Sequence, residues 1–208
     1  FKYLKGKRRL IDYNIAEELE TPKIGKRKPV YLNMEEAQVF ITSIEGRHYS
    51  KRDYCMMMFF LNLGIRVSEL CSLNINSIQG RNVTVIGKGN KERIVYLNDA
   101  CRASIQTYLK IRLSEKYKKI NTNALFVSKQ YKRISNKTVQ WLVYKYLSLA
   151  GLEYKHYSTH KLRHTAATLM YQTGKVDVRV LKEILGHEQL NTTQIYTHVS
   201  NKGMEDAI

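Results

Sequence analysis

In a chain whose apolar spacing is otherwise helical, two short β-prone runs, Asn82–Ile86 and Arg93–Leu97, flank the tetrapeptide Gly87-Lys88-Gly89-Asn90. Glycine reaches positive φ without a Cβ clash, so the tetrapeptide can reverse the chain and pair the runs as an antiparallel hairpin with a lysine at its tip. Helical patterns surround the hairpin. Asn33 followed by Glu36 is a capping-box pattern that opens a helix running to about Ile44, and Tyr54–Leu63 continues as a second, largely buried helix. Further helical patterns cover Asp99–Leu113, Asn136–Ala150, His160–Gln172 and Asp177–Leu185, the last followed by Gly186 as a C-terminal cap. The expected fold class is therefore mainly α with a small antiparallel β-sheet (α+β), with no internal repeat or low-complexity tract.

The 208 residues suffice for one domain of ordinary size plus a short extension. Residues 1–20 read as the end of a helix rich in Lys and Arg, with Tyr3, Leu4, Leu10, Ile11 and Ile15 as its apolar positions. Thr21–Pro29 holds two prolines, a glycine and Lys23, Lys26, Arg27 and Lys28, a linker composition whose charge suits a phosphate backbone. The boundary is placed there: residues 1–29 close an upstream unit and its basic linker, and residues 30–208 form the main domain with a C-terminal tail. Phe1 in place of Met points to a fragment of a longer chain.

Lys and Arg total 35 against 18 acidic residues, a formal charge of +17, more than solubility alone requires. A polyanionic partner is expected, with nucleic acid foremost. No stretch approaches the roughly 18 apolar residues of a spanning helix, so a membrane is not expected. Cys55, Cys71 and Cys101 are odd in number and widely spaced, as suits reduced core residues of a cytosolic protein. Basic residues interleave with aromatics at Lys116-Tyr117-Lys118-Lys119 and at Lys129, Tyr131, Lys132 and Arg133, a pattern suited to the DNA backbone or simply to a solvated face.

The chemistry-bearing residues crowd into the last quarter of the chain. His160 and Arg163, at i and i+3 on a helix, project from one face, while Leu162, Ala166 and Leu169 supply a different, apolar one. Arg163 offers a planar fork that matches two non-bridging phosphate oxygens. His187 follows the helix-ending Leu185-Gly186, and Tyr196 lies in Thr192–His198. A phenol with a pKa of about 10 is a poor nucleophile at neutral pH unless nearby cations favour the phenolate or a base takes its proton, and this set could do both. None of these residues is informative alone; their order points to covalent chemistry on a phosphodiester. His160 and His164 have the spacing of a zinc pair, but the intervening Glu of a metalloprotease is missing, as is an acidic cluster for magnesium. Gly87-Lys88-Gly89 is too short for a nucleotide phosphate loop. No metal and no cofactor are expected.

The combination resembles the tyrosine recombinases, or phage-type integrases. Gly64-Ile65-Arg66-Val67-Ser68-Glu69-Leu70 is similar to the family's first catalytic-arginine box, and Gly87-Lys88-Gly89-Asn90-Lys91-Glu92-Arg93 to the hairpin that holds its catalytic lysine. His160-Lys161-Leu162-Arg163-His164-Thr165 resembles its HxLRHT box, and Leu185-Gly186-His187 through Tyr196-Thr197-His198 the box that ends in the nucleophile. One departure is Leu63, where many relatives have Thr or Ser. The segment before residue 30 resembles only the last helix of the family's core-binding domain and the interdomain linker.

The resemblance implies the tyrosine recombinase catalytic-domain fold and a role for each residue. Tyr196 would attack the scissile phosphate to give a 3′-phosphotyrosyl link. Arg66, Arg163 and His187 would hold the non-bridging oxygens, Lys88 would protonate the leaving 5′-oxygen, and His160 would assist proton transfer from Tyr196. Glu69, one turn after Arg66, could orient it or be a plain helix salt bridge. Lys23, Lys26, Arg27, Lys28, Lys132 and Arg133 are the expected DNA contacts. Also implied are religation without metal or ATP, double-stranded DNA as partner, a homo-tetramer on two DNA sites and a place in the bacterial cytoplasm or nucleoid. Residues 199–208 would dock on a neighbour. Integration and excision of a mobile element is the favoured setting, with an Xer-type chromosome-dimer resolvase, a non-catalytic DNA-binding protein of the same fold and a metal-dependent nuclease as alternatives.

Overall fold

A computed structural model describes residues 1–19, 30–46, 49–114, 122–155, 157–174 and 176–186. The helices are α1 (Met34–Thr42), α2 (Ser50–Leu63), α3 (Val67–Ser72), α4 (Asp99–Arg112), α5 (Asn136–Leu149), α6 (Thr159–Gln172) and α7 (Val178–Leu185). Strands β1 (Ile78–Gln79), β2 (Asn82–Ile86) and β3 (Glu92–Tyr96) form one antiparallel sheet in the order β1-β2-β3. The fold is thus mainly helical with a small antiparallel sheet, as the sequence implies. Among the described residues no helix is long and apolar enough to cross a membrane.

Helix α2 is the centre of the core. Cys55, Met56, Met57, Phe59 and Phe60 are fully buried, and they point in every direction around the helix because α1, α4 and α6 all pack against it. Arg52 and Asp53 in its first turn are buried too, and they satisfy each other: Arg52 ion-pairs with Asp53 at 2.7 Å and donates to Val127 O, while Asp53 Oδ2 accepts from Tyr146 Oη of α5 at 2.6 Å. A buried charge without partners is costly, so this network fixes α2 against α5 and the segment around residue 127. The helix stops at Gly64, which takes a left-handed φ of 58°. A Cβ there would lie 2.7 Å from Leu185 Cδ2, so glycine serves both the turn and the close approach of α7.

The other helices begin where short polar side chains cap them. Asn33 accepts from Glu36 N at 2.8 Å while Glu36 accepts from Asn33 N, completing the capping box. Asn98, Ser135, Ser158 and Asp177 cap α4, α5, α6 and α7. In the sheet, Val83, Val85 and Val95 are buried while Ile94 and Tyr96 are exposed, the period-two pattern of a half-covered sheet. Leu32 N donates to Thr165 Oγ1 and Tyr157 Oη donates to Tyr31 O, which ties the segment leading into α1 to α6 and its approach.

The structure departs from expectation in two places. Residues 1–19 do not continue a long helix: helical turns end at Arg8, Arg9 has a φ of 50°, and residues 10–19 are irregular. The apolar side chains there, such as Leu10 and Ile15, are exposed, so no packed face offsets the cost of ordering a short helix. Strand β1 was not expected, being two residues long, too short for periodicity to register, whereas α3 supplies the helical turn expected from Arg66 to Glu69. The cysteines are core residues, as their sequence context implies. Cys55, Cys71 and Cys101 are free and buried; burial raises all three thiols, Cys71 to about 11 and Cys101 to about 12, so they stay protonated and inert.

Candidate active site

Glu69 organises the site. It lies in the first turn of α3, 2% exposed, and its carboxylate accepts from the backbone N–H of Arg66, the N-cap of that helix, at 2.8 Å. The Arg66 side chain folds back to donate to Oε1 at 2.7 Å. From β3, Arg93 adds a two-pronged contact, Nη1 to Oε1 and Nη2 to Oε2, both at 2.9 Å. From α6, Arg163 Nη1 stands 4.0 Å from Oε2. One carboxylate thus holds three guanidiniums from three segments of the chain. Burial alone would raise the acid, but the bonds from Arg93 and Arg66 outweigh it and hold Glu69 down at about 2.

The same three arginines grip the end of α7. Arg93 Nε donates to Ile184 O at 3.1 Å, Arg163 Nη2 donates to Leu185 O, and Arg66 Nη2 donates to Gly186 O at 3.2 Å. The last carbonyls of a helix lack intrahelical partners and carry its negative dipole end, so three cations on three successive carbonyls satisfy both demands. Arg163 also donates to Gly64 O at 2.7 Å, which joins the end of α2 to the same knot. Apolar burial of Leu181 and Leu185 beside Ala167 completes the docking of α7.

His160 and Arg163 both lie near the start of α6, yet the structure treats them differently. Arg163 is 3% exposed, buried among the apolar residues of its helix, because Glu69 and two carbonyls compensate its charge; His160 stays exposed at the rim. Partial burial, then the positive charges of Arg163 and Arg66, lower the His160 pKa below its usual 6.5. His164, whose ring meets that of His160 edge-on at 5.0 Å, is lowered by burial and by His160 and Arg163. At neutral pH His160 is therefore an uncharged imidazole that can accept a proton. Arg66, with 34% of its side chain exposed, also opens the cluster to solvent. Three guanidiniums around one carboxylate leave a net positive site, which favours an anion such as phosphate. Among the described residues no group of three or more His, Cys, Asp or Glu could hold a metal ion.

The backbone of Lys88 lies in the tight turn between β2 and β3, where Gly87 N donates to Lys91 O at 2.8 Å and Gly89 has a φ of 71°. The candidate residues His187 and Tyr196 lie outside the described residues, as do Lys23, Lys26, Arg27 and Lys28 and the basic run 116–119. Lys132 is exposed. Arg133, an expected DNA contact, is exposed and also bonds within the fold. It donates to Cys71 O and Leu73 O at 2.9 and 3.0 Å and to Asn74 Oδ1, closing the end of α3. The residue that sequence reasoning missed is Arg93. A signal for it existed: on β3 it shares the inward parity of Val95, and an arginine at an inward strand position requires a buried anion.

Comparison with known proteins gives concordant results. The sequence profile of the phage integrase family matches residues 31–202. The chain is 51% identical over its full 208 residues to the tyrosine recombinase XerC of Caldanaerobacter subterraneus subsp. tengcongensis, and spans 58% of that protein's length. Among solved structures, the XerA recombinase superposes with a TM-score of 0.77 at 30% identity, covering 99% of this chain and 78% of that one. The XerH site-specific recombinase bound to a palindromic difH substrate, a post-cleavage complex, gives 0.76 at 27% identity, covering 90% and 54%.

Proposed function

Because the chain belongs to the phage integrase family, we propose that it carries the catalytic part of a site-specific recombinase that cuts and rejoins double-stranded DNA through a 3′-phosphotyrosyl intermediate. The observation that carries this reading is the convergence of Arg66, Arg163 and a neutral His160 into one cationic site. In the proposed step Tyr196 Oη bonds to phosphorus, the bond from phosphorus to the 5′-oxygen breaks, the phenol's proton passes to His160, and Lys88 protonates the departing 5′-oxygen. Arg66, Arg163 and His187 stabilise the charge that gathers on the non-bridging oxygens. Reversal by another strand's 5′-hydroxyl reseals the DNA, since the phosphodiester energy is kept in the phosphotyrosine.

The relatives compared carry the Xer name, which favours the resolvase setting over integration and excision of a mobile element. Double-stranded DNA is the proposed partner, in a homo-tetramer on two sites, with Lys23, Lys26, Arg27, Lys28, Lys132 and Arg133 along the backbone. A Tyr196→Phe protein should bind DNA with unchanged affinity and form no covalent adduct on a nicked suicide duplex. Adduct persisting in that variant refutes the nucleophile, and binding by the intact chain without any cleavage leaves only a non-catalytic DNA-binding protein.

A further inference from the structure

We infer that Arg93 is a positioning residue of this site: through Glu69 and the carbonyl of Ile184 it holds the Arg66 guanidinium and the end of α7 in one fixed relation. The role rests on the recombinase reading only for its effect on cleavage.

Arg93 has the geometry for it. Both Nη atoms are used on Glu69, each 2.9 Å from its own oxygen, and Nε is used on Ile184 O at 3.1 Å, so the planar fork cannot rotate without breaking a bond. Its stem is pressed against Gly186, where a Cβ would meet the Arg93 Cδ and Cζ at 3.3 Å. Glu69 in turn fixes Arg66 twice, at the backbone and at the guanidinium. A shift of Arg93 therefore moves two things at once: the phosphate-directed arginine and the helix end from which the chain proceeds to His187 and Tyr196. Arg93 needs no contact with DNA to act. Its strand, β3, also forms one side of the turn that carries Lys88, so a single side chain links the lysine hairpin, the arginine box and the helix that leads to the nucleophile.

Arg93→Gln, Arg93→Lys and the exposed control Arg102→Gln test the assignment in two ways. Hydrogen exchange on the free protein reads the clamp: in Arg93→Gln the amides of Leu185 and Gly186 should exchange faster by about tenfold, with those of the α2 core unchanged. Single-turnover adduct formation at saturating nicked duplex reads positioning: the rate should fall about tenfold to a hundredfold while the DNA dissociation constant stays within about threefold, as expected of a misplacement remote from the reacting atoms. Arg93→Lys, which keeps the charge beside Glu69 but not the fork, should recover part of the rate, and Arg102→Gln should match the parent. Unchanged exchange at the end of α7 overturns the inference, as does a rate loss fully explained by weaker binding. If the parent protein itself forms no adduct, the recombinase reading fails and exchange alone decides on Arg93.

Discussion

Glu69 is the residue on which the site depends most. Without its charge, Arg163 would lose the carboxylate beside its buried guanidinium and Arg93 would lose the anion that both its Nη atoms engage. Glu69→Gln should therefore cost about 3 kcal/mol or more, read from the urea midpoint. The acid dependence has a definite sign. The native pKa is about 2 against an ordinary 4.5, so the carboxylate's contribution is complete above about pH 4.5 and is lost as the pH falls toward 2. That loss should be visible in the parent protein and missing in Glu69→Gln. For His160 the native value is lowered from 6.5, so adduct formation should hold at pH 6.5 and fall only as the pH drops through the lowered value. A rate–pH profile whose acid limb stands at or above 6.5 contradicts this.

At the scale of elements, the junction between α2 and α7 turns on one glycine. Gly64→Ala must carry a side chain at a φ of 58° and push a Cβ against Leu185 at 2.7 Å. Gly46→Ala bears a similar φ of 73° with nothing within 4 Å. The first should destabilise by about 2 kcal/mol more than the second in thermal or urea unfolding, the difference being the overpacking. Elements of this kind were unevenly legible in the sequence. The longer helices announced themselves through apolar spacing and through caps at Asn33 and Gly186, because those signals are local. Strand β1 did not, since its form depends on pairing with β2. The candidate site divides the same way: Arg66, Lys88, His160 and Arg163 stood out by their motifs, whereas Arg93 and the grip on α7 arise only when β3, α3, α6 and α7 meet. Arg133 shows what composition leaves out: it is a basic residue in an aromatic-rich stretch, exposed and also bonded to the end of α3.

For the whole molecule, a helical core centred on α2 brings distant segments of the chain into one positive cluster, and the net charge of +17 suits the proposed polyanionic partner. Every step of the proposed chemistry requires that the cluster serve a covalent exchange at phosphorus rather than simple binding or metal-assisted hydrolysis. Incubating the protein with a nicked duplex in EDTA, denaturing the mixture and mapping the DNA-linked peptide by mass spectrometry tests this most directly. The expected product is a stable adduct, formed without divalent metal, with the 3′-phosphate attached to Tyr196. Cleaved DNA with free ends, or cleavage abolished by EDTA, would contradict it.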